Sequence, residues 1–302
     1  MHRHTVWGVA AFLAGCGARI DGGSFNDAAS LDVAAPADAA SQVDAAIDAP
    51  PPLGPWSMPA KVAPASTTDD EDDVTLSSDA LEMIYAVATA SGKDLYYVSR
   101  LSKTSEWTTP AKLPFDGDTT SEETPRFSAD DRTLFFASDR AGNGTLDIYM
   151  ASRSPAVPPV WTDPVPLTAV STKTLVEKWF MPCADNRYVM AQGMPGAGTD
   201  LVEGTLDGDA AKPIVELNSP DNDTGPFLTR DCLTIFFASN RSGATRIYTS
   251  QRRAVTDPWD RPTVVRDFAI AGSVDNEEDP WLSPDGRTFA FAGAKDIYLS
   301  TR

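Results

Sequence analysis

Hydrophobic residues in the C-terminal five sixths of the chain occur in short runs and not at helical spacing. From residue 54 onwards, runs of four to six apolar or aromatic residues alternate with turn clusters such as Pro-Asp-Gly and Ser-Gly, as in "SPDGRTFAFA" at 283–292. No stretch of this region keeps a 3.6-residue period between helix caps. The pattern therefore predicts short β-strands separated by turns.

The strand pattern is organised as a repeat. The phrase "PWLSPDGRTFAFA" at 280–292 aligns without a gap with four other segments, at 74–86, 125–137, 179–191 and 226–238. Each copy is followed by a phrase such as Asp-Ile-Tyr and preceded by a phrase that is usually centred on a tryptophan. These tryptophans are Trp56, Trp107, Trp161 and Trp259. The resulting period of about fifty residues is typical of solenoids, propellers and arrays.

Each copy supplies four strand-like phrases, which is the content of one propeller blade. The sequence thus predicts an all-β fold, a five-bladed β-propeller of four-stranded antiparallel blades over 54–302. The last copy stops at Arg302 after three strands, whereas the phrase at 56–62 precedes any complete blade. An N-terminal strand is therefore expected to complete the last blade and close the ring, since an open blade would expose a sheet edge. Six blades with one unrecognised repeat remain the alternative.

The repeats resemble a known family. "SPDGRTFAFAGAKDIY", "SADDRTLFFASDRAGNGTLDIY" and "TRDCLTIFFASNRSGATRIY" are similar to the WD40-like (PD40) repeats of the TolB type. The resemblance covers 56–302 and is weaker in the third copy, where Met181, Pro182 and Val202 replace the expected residues. It implies a propeller in the bacterial envelope. Unlike TolB, the chain has no N-terminal α/β domain and has five repeats, not six, so TolB's own partner is not transferred to it.

The first 53 residues predict export and tethering. Residues 1–16 have a basic start, an apolar segment and the phrase Leu-Ala-Gly-Cys, which resembles the lipobox of bacterial lipoproteins with Cys16 as the lipidated residue. An ordinary secretory signal that carries a cysteine is the alternative. Residues 17–53, rich in Ala, Asp and Pro, predict a disordered tether. Gly17 after the cysteine favours the outer membrane, on its periplasmic or surface side.

Charge and composition exclude several functions. The chain has 302 residues, a net charge of −18 and no basic run, so nucleic acid is not an expected partner. Its only histidines are His2 and His4, inside the predicted signal. Ser-His-Asp catalysis, Cys-His catalysis and histidine-based metal sites are therefore excluded for the mature protein. The membrane is expected to be contacted through the lipid anchor only, and the protein is expected to be a monomer.

Acidic residues recur in the loop that enters each inner strand. In the ungapped alignment Asp72, Glu123, Glu177 and Glu278 share one column, and Asp223 is one place away. Such loops open near the propeller axis, so these carboxylates are expected to form a ring. The ring is either a funnel for a ligand or a hard cation such as calcium, or a set of hydrogen-bond acceptors that hold the blades together.

Other candidates for the funnel are Arg140 and Arg241 in the loops after the "FFAS" strands, and Trp179 and Trp281 beside the acidic column. The arginines are interpreted either as ligand contacts or as loop-fixing ion pairs, with Asp147 as the expected partner of Arg140. Cys183 and Cys232 fall two columns apart in consecutive copies. They are expected either to form a disulfide, which export permits, or to remain buried thiols.

Two functions follow from these features. The first is a non-enzymatic, lipid-anchored scaffold that binds an envelope protein or peptide through the funnel face and needs no cofactor. The second is a carbohydrate-binding or glycoside-hydrolysing propeller that uses Glu123, Glu177 or Glu278, because glycosidases need paired carboxylates. The absence of histidines and the repetition of the polar residues favour the scaffold.

Overall fold

The structure, a computed structural model, describes residues 53–117, 119–208, 210–265 and 276–302. The predicted signal peptide, Cys16 and the tether up to residue 52 lie outside the described residues. Within the described ranges, no helix is long and apolar enough to cross a membrane.

The described part of the chain forms an all-β, five-bladed propeller of four-stranded antiparallel sheets. The first blade contains β2 (Glu71–Leu76), β3 (Glu82–Ala88), β4 (Lys93–Ser99) and β5 (Ala111–Lys112), and the second contains β6 (Glu122–Phe127), β7 (Thr133–Ser138), β8 (Asp147–Ser152) and β9 (Val165–Pro166). The third contains β10 (Val176–Pro182), β11 (Arg187–Gly193), β12 (Thr199–Thr205) and β13 (Lys212–Pro213), and the fourth contains β14 (Asp223–Leu228), β15 (Thr234–Ser239), β16 (Arg246–Gln251) and β17 (Thr263–Val264). The fifth contains β18 (Glu277–Leu282), β19 (Thr288–Gly293), β20 (Asp296–Thr301) and the N-terminal β1 (Ala60–Lys61).

The fifth blade contains strands from both ends of the described chain. Strand β1 pairs antiparallel with β20, with Ala60 opposite Leu299 and Lys61 opposite Tyr298. The Ser57 backbone N–H extends this pairing by donating to the Thr301 carbonyl at 2.7 Å. The edge of β20 is thereby covered, as the closure predicted from sequence requires.

A tryptophan a few residues before the outer strand is held in the same way in four blades. The arginine directly after the third strand places its guanidinium over the indole and donates to a carbonyl of the blade's first hairpin turn. The arginine, tryptophan and turn residue are Arg100, Trp107 and Ala80; Arg153, Trp161 and Asp131; Arg252, Trp259 and Cys232; and Arg302, Trp56 and Gly286. The guanidinium-to-ring distances run from 4.1 Å at Trp56 to 5.8 Å at Trp161. The contact between Arg302 and Trp56, at the two ends of the described chain, is thus the same contact that the interior blades make.

The third blade has a shorter first hairpin than its neighbours, and this corrects the ungapped alignment. The Cys183 N–H donates to the Arg187 carbonyl, four residues on, whereas the Ser77 N–H donates to the Glu82 carbonyl, five residues on. In the third copy, the residues before the turn are therefore shifted by one position relative to the ungapped alignment. Opposite the equivalent alanines of the second strands lie Asp72, Glu123, Lys178, Thr224 and Glu278.

The first strand of each blade is its inner strand, and each of these strands carries a β-bulge directly after this position. The bulged residues have positive φ angles of 52° to 56°: Asp73, Thr124, Trp179, Gly225 and Asp279. A bulge re-aims side chains and is common next to functional sites. Here it turns one residue per blade towards the region where the five inner strands meet.

A disulfide joins the first hairpin turns of the third and fourth blades. Cys183 and Cys232 have Cα atoms 5.6 Å apart and close a loop with a sequence separation of 49. The bond links two neighbouring blades at the ends of their inner strands, away from the bulges.

Candidate functional site

The inner strands present two different ends, which we call the acid face, where each strand begins, and the cavity face, where each strand ends. Of the predicted ring, Asp72, Glu123 and Glu278 lie in one column at the acid face, together with Lys178 and Thr224. Beneath this column two bulged aspartates, Asp73 and Asp279, are only 1% and 2% exposed.

The bulged residues bond to one another across the axis. The Trp179 indole Nε1 lies 2.9 Å from Asp73 Oδ1 and 2.7 Å from Asp279 Oδ1, so both carboxylates face one donor. The Asp73 backbone N–H donates to Asp279 Oδ2 at 3.1 Å, and the Trp179 N–H donates to Thr124 Oγ1 at 3.1 Å. These contacts join four blades into one axial cluster.

Two lysines neutralise part of this charge. Lys93 Nζ is in hydrogen-bond contact with Asp72 and lies 3.0 Å from the Asp73 Oδ2 carboxylate oxygen. Lys178 Nζ lies 2.6 Å from Glu123 Oε2. The two ammonium groups therefore lie among the carboxyl groups of this column.

The carboxyl groups of the cluster differ in acidity. Burial alone would raise the pKa of Asp73, but the Lys93 and Lys178 charges outweigh burial and hold this pKa below its usual range. Burial and the Asp73 charge raise the pKa of Asp72 to about 9 and that of Asp279 well above its usual value. The same two causes raise the pKa of Glu278. Asp73 is therefore the most acidic of these four groups, whereas Asp72, with a pKa of about 9, holds a proton at neutral pH.

Glu177 and Asp223 do not belong to this cluster, so placing Glu177 in the column of Asp72 was wrong. They lie one position earlier, in a column with Glu71, Glu122 and Glu277 that is acidic in all five blades and buried. Glu177 Oε1 accepts from Thr172 Oγ1 at 2.8 Å and from Gln192 Nε2 at 3.0 Å. Such bonds tie the acid to its own blade.

Arg140 and Arg241 serve this second column. Arg140 Nη2 lies 3.0 Å from Glu122 Oε1, and Arg241 forms the equivalent pair with Asp223. The expected partner of Arg140 was wrong, since Asp147 accepts instead from Asn143 Nδ2 at 3.0 Å. Both guanidinium groups also lie over aromatic rings of their own blades, so these arginines fix loops.

Trp281 was expected beside the acidic ring, but it lies at the cavity face. It lines a cavity of about 320 Å³ to which all five blades contribute. The apolar lining includes Leu76, Phe127, Met181, Phe227, Trp281 and Leu282. The remaining lining includes Ser128, Asp131, Thr229, Arg230 and Asp231, which belong to the hairpin turns around the mouth. This is an apolar pocket with a polar rim.

The N-terminal segment of the described chain reaches the same face. A Cβ atom on Gly286, which lines the cavity, would lie 3.4 Å from Leu53 Cδ1. Arg302 Nε donates to the Gly286 carbonyl at 2.8 Å. Both ends of the described chain therefore lie near the cavity mouth.

Sequence reasoning placed Trp179 beside the acidic column, where it lies, but missed other residues of the axial cluster. Asp73 and Asp279 were missed because a bulge turns the residue after the predicted one inward. Lys178 was missed because the third hairpin is one residue shorter than its neighbours. The fully buried Arg126, whose Nη1 donates to the Val74 carbonyl at 3.1 Å, gave no signal beyond its place in a strand phrase. The doubled acids in "EDD", "SEE" and "NEED" were the available hint that two adjacent columns are involved.

Comparison with known proteins supports the fold alone. No family model matches the chain, and no curated protein matches it. Among solved structures, it is similar to the catalytic domain of a GH62 α-L-arabinofuranosidase from Coprinopsis cinerea, with a TM-score of 0.52, 10% identity, and coverage of 82% of this chain and 97% of that one. It is also similar to a protein assigned as TolB in Agrobacterium tumefaciens, with a TM-score of 0.49, 16% identity, and coverage of 77% and 75%. For TolB from Acinetobacter baumannii the TM-score is 0.48 at 14% identity, and the coverage is 79% of this chain and 56% of that one.

Proposed function

We propose that this protein is a lipid-anchored propeller of the bacterial envelope that acts as a non-enzymatic scaffold and binds a protein or peptide partner at the cavity face. The observation that carries the proposal is the cavity of about 320 Å³ with its apolar lining and polar mouth. The partner would present an apolar or aromatic anchor side chain on a segment with polar flanks.

The lining has the composition of a recognition site. Aromatic residues and methionine are enriched at protein interfaces, and the residues that dominate binding energy sit in desolvated pockets surrounded by polar groups. Phe127, Met181, Phe227 and Trp281 supply such a pocket. The acid face is less suited to a ligand, because its carboxylates already bond to Lys93, Lys178 and Trp179.

Anchoring and binding are compatible in this arrangement. Cys16 would carry the lipid, and residues 17–53 would tether the propeller to the outer membrane. Because Leu53 lies against the mouth, the tether would leave the propeller at the binding face. A partner close to the membrane surface would then be held at high effective concentration.

The experiment is site-specific photo-crosslinking of the exported full chain in intact cells. Ala129 is exposed and lines the cavity, whereas Ala141 is equally exposed in a loop at the acid face of the same blade. A photo-reactive residue at position 129 should yield one discrete adduct that is absent at position 141. Introducing Ala129→Trp, with the crosslinker moved to Pro284 at the mouth, should abolish the adduct, while Ala141→Trp should leave it intact. Equal adducts from both faces would contradict the proposal.

The glycoside-hydrolase alternative has less support from the site. Glycosidase chemistry requires two accessible carboxylates flanking a sugar, whereas Glu123 is paired with Lys178, and Glu177 is buried in a different column. The decisive assay uses arabinoxylan and other plant and bacterial glycans. Sugar release that disappears in a Glu123→Gln, Glu177→Gln, Glu278→Gln variant would replace the scaffold with an enzyme.

A further inference from the structure

Three carboxyl groups meet at the junction between the first and second blades. Asp94 begins β4, Asp116 lies in the loop that follows β5, and Glu122 begins β6. One carboxylate oxygen of each lies within 4.8 Å of the corresponding oxygens of the other two. This cluster is separate from both the axial cluster and the cavity.

Each carboxylate has one oxygen held by a protein donor. Lys112 Nζ lies 3.0 Å from Asp94 Oδ2, and the Leu95 backbone N–H donates to Asp116 Oδ2. Glu122 Oε1 accepts from Ser138 Oγ at 2.8 Å and from Arg140 Nη2 at 3.0 Å. These bonds fix the orientation of the carboxylates in advance.

Two of the remaining oxygens have no hydrogen-bond donor from a third residue. Glu122 is 0% exposed, yet its Oε2 atom, and likewise Asp116 Oδ1, is buried with no hydrogen-bond donor among the described residues. Leaving a buried acceptor unsatisfied is costly, and more so for a charged group. In the fourth blade the equivalent Asp223 has donors on both oxygens, Ser219 on one and Arg241 on the other.

The fold itself does not require a carboxylate at position 116. The next two junctions make the same backbone contact with neutral side chains: the Ile148 N–H donates to Ser171 Oγ at 3.0 Å, and the Leu201 N–H donates to Asn218 Oδ1 at 2.8 Å. Asp116 is therefore acidic where the next two junctions are neutral. It adds a third carboxyl group beside the two cations Lys112 and Arg140.

We propose that Asp94, Asp116 and Glu122 form a calcium site that links the first blade to the second. Calcium binds carboxylate and water oxygens at roughly 2.3–2.6 Å, so one ion can reach an oxygen of each of the three groups, which lie within 4.8 Å of one another. Magnesium demands near-ideal octahedral geometry and gives up its water reluctantly, which suits this fixed cluster less well. Water would complete the coordination, because Asp94 and Asp116 are only partly buried. A ligand from each blade makes the ion an inter-blade link.

The test compares metal-stripped wild-type protein with Asp116→Ser and Asp116→Asn, which install the residues of the two neutral junctions. Calorimetric titration with CaCl₂ should give one site in the wild type and at least a tenfold weaker one in both variants, while MgCl₂ should bind far more weakly. Asp163→Ser, which replaces an exposed acid in a loop of the second blade, is the matched control and should bind like the wild type.

Thermal unfolding distinguishes a bound calcium ion from a proton shared between Asp116 and Glu122. With a chelator, Asp116→Ser should melt at or above the wild-type temperature, because it removes a buried acid. With millimolar calcium only the wild type and Asp163→Ser should gain several degrees, since binding to the folded state alone stabilises it. Equal calcium uptake by Asp116→Ser, or no calcium-dependent shift in the wild type, would overturn the proposal and leave a shared proton between Asp116 and Glu122.

Discussion

The two faces of the propeller use the same repeated strand in opposite ways. At the acid face the bulged residues bond to one another, and Asp73, Asp279 and Trp179 close the axis with hydrogen bonds and ion pairs. At the cavity face Phe127, Phe227 and Trp281 surround an open volume of about 320 Å³. Repeated polar residues therefore hold the ring together, while the apolar ends of the same strands are left for a ligand.

The largest expected effect is at the ionised aspartate of the acid face. Asp73→Asn keeps the shape of the side chain but removes the charge that faces Lys93 and Lys178. Removing one partner of a buried ion pair typically costs about 3–5 kcal/mol. Chemical denaturation should show a loss of that order, whereas Asp163→Asn in an exposed loop should stay within about 0.5 kcal/mol. A loss below 1 kcal/mol at Asp73 would mean that the axial cluster does not stabilise the ring.

The disulfide is the corresponding strong link at the cavity face. Closing a loop with a sequence separation of 49 should contribute about 2–4 kcal/mol. Cys232→Ser should lose that amount, and Cys183→Ser should lose a similar amount. Dithiothreitol should destabilise the wild type but leave both variants unchanged. If reductant lowers the stability of the variants as well, the loss has another origin.

The blade count and ring closure were predictable from sequence because they depend on repetition. A turn such as "SPDG" followed by "TFAFA" needs only local residues to form, and the Trp phrase at 56 matched those at 107, 161 and 259. Once five copies were aligned, the fold had few alternatives. The strand at Ala60–Lys61 confirms the expected partner of β20.

The site was less predictable, because it depends on single-residue displacements. The turn after Cys183 is one residue shorter than in the neighbouring blades, so Glu177 lies outside the column to which the alignment assigned it. Bulges turn Asp73 and Asp279 inward, although the sequence had pointed to the residues before them. Neither the shorter turn nor the bulges change the hydrophobic periodicity. This periodicity predicts where a strand lies but not how its residues pair with those of the next strand. Trp281 is only three residues from Glu278 in sequence, but Glu278 lies at the acid face and Trp281 lines the cavity at the other end of the same strand.

The closure of the ring can be compared with an interior blade. Trp56 and Trp107 each lie under an arginine, at 4.1 and 4.3 Å from the guanidinium to the ring. Trp56→Ala should cost more than Trp107→Ala, by about 1 kcal/mol, because it also weakens the short strand that closes the ring. Urea denaturation of the two variants measures the difference, and equal losses would show that the two chain ends add no special weakness.

The smallest effect at neutral pH is expected one residue from the largest. Because the pKa of Asp72 is raised to about 9, its carboxyl group is already protonated at pH 7, and Asp72→Asn should cost less than about 1 kcal/mol there. The folded state binds an extra proton between the ordinary pKa of Asp72 and about 9, so this group stabilises the fold most at low pH and loses that contribution as pH rises through 9. The stability of the wild type should therefore fall between pH 5 and pH 9, and more steeply than that of Asp72→Asn. A pH dependence identical in the two proteins would place the proton elsewhere, with Asp279 the next carboxyl group to substitute.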